Sequence, residues 1–229
     1  MISTSDEESE TLAAESRRAS SAVDRARLEL RGVLTHPVAL EKLTAFDQTW
    51  GAVVQIDARL LPLAVANTNL KATRLSAQSA QDAVVQLVAA LTSVAEATSD
   101  PWLLRALMNA SADALRIQTL HASHIAAADD PVMTRLEHEM EGLHLEVTTF
   151  MTMLQRRFEK GALKAHVDLA AARWSAFLAF HGEIIRLSRV NSNLISFELS
   201  THAKREASAR CQAALQALME ELQSEHKAR

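Results

Sequence analysis

Residues Leu60 to Leu70, LLPLAVANTNL, return as Ile184 to Leu194, IIRLSRVNSNL, about 124 residues later and with no gap. The likeness runs on either side: Trp50 recurs as Trp174, Leu75-Ser76 as Leu199-Ser200, Ala83 as Ala207 and Ala89-Ala90-Leu91 as Ala213-Ala214-Leu215. A period this long, with one long helix in each copy, points to a duplicated helical hairpin rather than a solenoid of short repeats. The two copies are expected over 9–128 and 129–229, after a disordered N-terminus at 1–8, and together they predict one elongated all-α antiparallel bundle.

Punctuation sets the helices. Thr35-His36-Pro37, Ser99-Asp100-Pro101 and Asp129-Asp130-Pro131 each place a polar residue before a proline, the chemistry of a helix start. Lys160-Gly161 supplies a helix end, since glycine accepts a left-handed conformation. With only 5 Gly, 4 Pro and no Tyr, little else interrupts the chain. Helices are expected over 8–34, 38–97, 101–127, 131–159 and 163–226, the second and fifth roughly 90 Å long if unbroken. Pro62, matched by Arg186, should kink the second helix near Ala58. Five helices cannot complete two four-helix modules, so a partner chain or an upstream segment would have to supply one member.

The seam reads from spacing. Ile56, Leu60, Leu63, Asn67 and Leu70 step 4-3-4-3, as do Phe180, Ile184, Leu187, Asn191 and Leu194. Asn67 and Asn191 therefore interrupt apolar stripes, where an amide fixes register once it finds a partner.

Chemistry has few footholds. The net charge is -4 with acids and bases interleaved, which disfavours nucleic acid. No apolar run approaches the ~20 residues of a membrane span, and the acidic N-terminus is unlike a signal peptide. The chain as it stands is expected to be cytoplasmic, or periplasmic if excised from a membrane receptor. The single Cys211 excludes an internal disulfide and reads as a small packed thiol. Trp50 and Trp174 read as core anchors. There is no nucleophile motif and no glycine-rich phosphate loop, so no enzyme and no cofactor are expected. His121, His124, Glu141 and His144 form the one candidate metal cluster: Glu141 and His144 have the E-x-x-H spacing of di-iron bundles, without a second such pair.

Leu63-Ala-Val-Ala-Asn67-Thr-Asn69-Leu70 followed by Arg74-Leu75-Ser76 carries a family likeness, as does Leu187-Ser-Arg-Val-Asn191-Ser-Asn193-Leu194 followed by Leu199-Ser200 and Lys204-Arg205. Over about residues 20–225 the chain resembles the four-helix-bundle sensory region of bacterial methyl-accepting chemotaxis receptors. The resemblance implies a non-enzymatic module that binds a small molecule, or a ligand-loaded partner, at a helix interface and passes on a small helix displacement. It departs from the family in having no flanking membrane helices, no linker module and no glutamate-rich methylation hairpin.

A ligand is expected where polar seam positions gather: Asn67, Asn69, Asn191 and Asn193 offer amides, and Arg59, Arg186 and Arg189 could take a carboxylate. The partner is expected to be a signalling protein or a second copy packed helix to helix. A metal-binding bundle built on His121–His144 and a purely structural coiled-coil scaffold are the alternatives.

Overall fold

The computed structural model describes residues 5–228, and every regular element among them is helical. In chain order these are α1 (Asp6–Val33), α2 (Pro37–Ala66), α3 (Thr68–Leu75), α4 (Gln81–Glu96), α5 (Pro101–Ala126), α6 (Asp130–Arg157), α7 (Lys164–Val190), α8 (Ser192–Glu198) and α9 (Arg205–Ala228). A π-helical turn at Ser76–Ala80 joins α3 to α4, and another at Leu199–Lys204 joins α8 to α9. None of the described helices is long and apolar enough to cross a membrane.

The starts follow the punctuation. Asp100 caps α5 by accepting from the Trp102 and Leu103 amides, with Pro101 as the first helical residue. Pro37 likewise opens α2, and Pro131 stands in the first turn of α6. α1 begins earlier than expected, inside the segment read as disordered. The Ser5 hydroxyl accepts from the Glu8 amide, and Asp6, Glu7 and Glu8 place negative charge at the positive end of the helix. Residues 1–4 of that expected segment lie outside the described residues.

The two long helices of the sequence reading are present, each interrupted once by a left-handed residue and widened once by a π-helical turn. Asn67 (φ 50°, ψ 37°) ends α2 and Asn191 (φ 52°, ψ 33°) ends α7, both in the left-handed region. Asparagine tolerates that conformation better than other residues bearing a Cβ, so one residue can stop a helix and let the next begin at Thr68 or Ser192. Pro62 lies inside α2, and the helix ends five residues later, at Asn67. The π-helical turns follow about two turns further on, at matching places in both copies. α1, α2, α3 and α4 thus correspond to α6, α7, α8 and α9, while α5 has no counterpart among the described residues.

The chain divides into two compact units that cut across the repeat copies. Unit I takes residues 1–67 and 192–229, so it holds α1, α2, α8 and α9; unit II takes Thr68–Asn191, with α3 through α7.

In unit II, α4, α5, α6 and α7 pack in a ring: α4 on α5, α5 on α6, α6 on α7 and α7 on α4. The core is continuous, with Leu87, Leu91, Leu103, Leu107, Met140 and Leu154 almost wholly excluded from water. The buried stripe of α5 runs Leu103, Leu107, Ala110, Ala114, Ile117, His121 and His124, a 4-3 alternation. The Trp174 indole N–H donates to Thr148 Oγ1 at 3.0 Å, which ties α7 to α6.

In unit I, α1 and α9 both pack on α2 and not on one another. Its core is smaller, built on Leu43, Phe46, Val53, Cys211 and Leu218. Here Trp50 donates to Asp24 Oδ1 at 2.9 Å, and Asp24 stands at the repeat position of Thr148. That N–H, helped by the neighbouring Arg27, holds the Asp24 carboxyl below its ordinary range.

Candidate functional site

Each N-[TS]-N-L segment does two jobs, one per asparagine. The first asparagine is the left-handed stop; the second reaches the first asparagine of the other copy. In unit II Asn69 Nδ2 donates to Asn191 Oδ1 at 2.8 Å and to the Ile125 carbonyl at 2.9 Å. In unit I Asn193 Nδ2 donates to Asn67 Oδ1 at 3.0 Å. Further amide donations tie the seams down: Asn191 donates to the Ala127 carbonyl, and Asn67 to Asp6 Oδ1 and Ser9 Oγ. All four sequence-selected asparagines therefore sit in polar seams, paired across copies within each unit.

Around the unit II seam the polar groups bond to one another across helices. His121 lies between Ser76 (Nδ1 to Oγ, 3.2 Å) and His181 (Nε2 to Nδ1, 2.9 Å), stacked on Phe177. Burial pushes His121 down to about 3 and His181 to about 4, so both rings are neutral near pH 7. The π-helical turn that opens at Ser76 also presents the Ser76 carbonyl, which accepts from Gln118 Nε2 at 2.8 Å. One turn along α5, His124 contacts Ser188 Oγ through Nδ1 (2.8 Å) and Glu137 Oε1 through Nε2 (2.9 Å). Arg189 grips Glu137 with two nitrogens and reaches Asp130 as well. That guanidinium, seconded by His124, holds Glu137 below the usual carboxylate range.

Ser188, His124 and Glu137 have the spacing of a nucleophile, a base and an orienting acid. Their surroundings give them another role. Ser188 and His124 have no exposed surface, the Ser188 hydroxyl also donates to the His124 carbonyl at 3.1 Å, and Glu137 is held by arginine. The set cross-links α5, α6 and α7.

In unit I an open trough of about 290 Å³ lies over α2, between α1 and the α8–α9 segment. Asn67 and Asn193 stand at its floor; Ser9, Ser16, Ser200 and Lys204 supply further polar groups. Their unit II counterparts are Met133, Met140, Ser76 and Ala80, all buried. Lys204 Nζ lies 2.6 Å from Asp57 Oδ1, and Asp57, only 8% exposed, replaces His181 of the other copy. A second hollow of about 330 Å³, almost purely apolar, lies further along α1 and α9 and is lined by Leu30, Phe46, Trp50, Cys211 and Leu215 among others. Burial raises the Cys211 thiol above its ordinary value, only partly offset by a hydrogen bond from Thr49, which fits a packed thiol rather than a nucleophile.

The other sequence-selected residues scatter. Arg59 is exposed on α2, Arg186 binds Glu183 on its own helix, and Arg189 is committed to Glu137. His121 and His124 belong to separate networks, and His144 sits 3.4 Å from Glu141 and edge-on to Trp174. Among the described residues, the metal-suited side chains that do converge are His36, Glu221 and Glu225, with His36 Nδ1 at 2.7 Å from Glu225 and 3.8 Å from Glu221.

Sequence reasoning passed over His181, Ser188, Asp57 and the serines of the trough. A position-by-position reading of the repeat would have flagged them, because Asp57 against His181 and Ala64 against Ser188 are polar changes on one buried face. No family model matches this chain, and no curated protein or solved structure is similar to it.

Proposed function

We propose that the chain is a non-enzymatic sensory bundle of chemoreceptor type, whose unit I trough binds a small polar molecule. One observation carries this. Repeat positions that are closed off in unit II, among them Met133, Met140, Ser76 and Ala80, correspond in unit I to an accessible hollow lined by amides, hydroxyls and Lys204. The Lys204 ammonium suits a carboxylate and the neutral amides and hydroxyls suit the polar groups beside it, so a short organic acid, or an amino acid held by its carboxylate, is the favoured class. Asn67 lines the trough and is also the left-handed stop of α2, so a ligand seated in the trough lies beside a helix break, a place where two backbone arrangements can be close in energy.

Thermal-shift measurements against amino acids, organic acids and amines test the proposal. A ligand at a hundred times its Kd should stabilise the chain by about 2.7 kcal/mol. That shift should vanish in Lys204→Met and persist in Arg59→Ala. Flat melting curves throughout would favour the structural scaffold, and a shift produced only by metal ions would favour the metal-binding alternative.

A further inference from the structure

Unit II shows what a complete bundle of this repeat looks like, and unit I has three of its four places filled. In unit II, α4 and α6 pack on α7 and do not touch one another; α5 lies between them. In unit I their counterparts α9 and α1 pack on α2, also without touching, and the place between them holds the two hollows just described. Together the hollows trace the α5 footprint. Cys211, Leu215 and Leu218 stand where Leu87, Leu91 and Val94 lie buried in the unit II core, and Ser200, Asn193 and Ala13 stand where Ser76, Asn69 and Glu137 bond to α5.

Exposure tells the same story at matched positions. Leu91 is 1% exposed and Leu215 41%; Val84 is fully buried and Ser208 exposed; Leu154 is fully buried and Leu30 half-buried. Charge adds a direction. Arg116 of α5 binds Glu139 of α6, and the counterpart of Glu139 is Glu15, an exposed carboxylate on α1.

We infer that the groove between α1 and α9 is a docking site for one amphipathic helix of a partner protein, with the stripe of α5. The helix runs antiparallel to α1, its N-terminal end near Val33 and its C-terminal end near Ser9, as α5 runs along α6 from the Asp100–Arg157 pair to the His124–Glu137 pair. Two large aliphatic residues four apart in its first turns, as Leu103 and Leu107 are in α5, cover the apolar hollow, small residues follow, and hydrogen-bonding side chains meet Asn193 and Ser200 near its end. A basic residue midway faces Glu15. A helix of about 26 residues, roughly 39 Å, spans the groove. The docking does not rest on the small-molecule reading, and because the end of the helix fills the polar trough the two occupants exclude one another there.

A synthetic peptide of residues 101–126, α5 itself, is the probe. Titrated onto the full chain, it should bind saturably and slow amide exchange in α1 and α9 at least tenfold, leaving α4 and α6 unchanged. Leu215→Glu should weaken binding more than tenfold, whereas Val85→Glu, on the exposed side of unit II, should not; circular dichroism of each variant confirms its fold. A peptide with Leu103→Asp and Leu107→Asp should not bind. No binding by the α5 peptide overturns the inference, as does protection confined to α4 and α6, which would mean displacement of the resident α5. Concentration-dependent dimerisation abolished by Leu215→Glu would overturn it in favour of a second copy as the occupant.

Discussion

Leu91 and Leu215 are the same residue of the same repeat, one sealed in a four-helix core and the other with two-fifths of its surface in water. What separates them is not their local sequence but whether a fourth helix lies alongside. Unit II has α5, and around it the repeat has become apolar except where polar side chains find one another: Ser76, His121 and His181 in one set, Ser188, His124 and Glu137 in the other. Unit I has no such helix among its described residues, and matching positions carry Ser9, Ser16, Ser196 and Lys204, which tolerate water. Duplication supplied two copies of one hairpin; burial then set what each copy could keep. An unpaired polar group costs several kcal/mol in a closed core and little in an open trough.

The contrast can be broken most strongly with acid. His121 is buried and His181 half-buried, both neutral, with values near 3 and 4 against about 6.5 unfolded. The unfolded chain binds protons first, so their contribution is intact above about pH 6.5 and is lost as pH falls from there towards 4. Each proton taken up steepens the loss by about 1.4 kcal/mol per pH unit, with the stacked pair titrating as one system. Amide exchange followed from pH 7 to 4.5 should show α5 and α7 opening well before α1 and the N-terminal half of α2. Equal loss in both units would mean that the histidine pair does not govern acid stability.

Core truncation gives the next largest difference. Leu91→Ala should cost about 2 to 5 kcal/mol in a urea melt, and Leu215→Ala less than about 1 kcal/mol, because only the first opens a cavity. The asparagine stops come after these. Asn191→Ala should cost about 2 to 3 kcal/mol, combining the left-handed penalty of alanine with the lost bond from Asn69. Asn191→Gly keeps the backbone and should recover about 1 kcal/mol of that. If the glycine and alanine variants melted alike, the left-handed conformation would not be the reason for asparagine there. The smallest effect belongs to Arg116→Ala, which removes an exposed ion pair with Glu139 and should change stability by no more than about 1 kcal/mol.

Helix existence and most boundaries were legible because capping and proline chemistry are local: Pro37, the pair Asp100-Pro101 and Gly161 stand where a helix begins or a turn lies. The breaks at Asn67 and Asn191 were not, since an asparagine on an apolar stripe looks alike whether it bonds across a helical seam or steps into the left-handed region. Nor could spacing show that the bundle partners are exchanged between copies, so that Asn69 meets Asn191 within unit II and Asn193 meets Asn67 within unit I. The histidines show the same limit. His121 and His124 lie three residues apart and looked like joint ligands, yet the partner of His121 is His181, 60 residues away on α7.

Hydrogen exchange of the full chain, compared residue by residue between α4 and α9, bears most directly on the claim that unit I is the open copy of unit II. Amides of Val84 to Leu91 should exchange at least a hundredfold more slowly than those of Ser208 to Leu215, since the former lie under α5 and the latter flank an open groove. Equal protection along the two helices would contradict it.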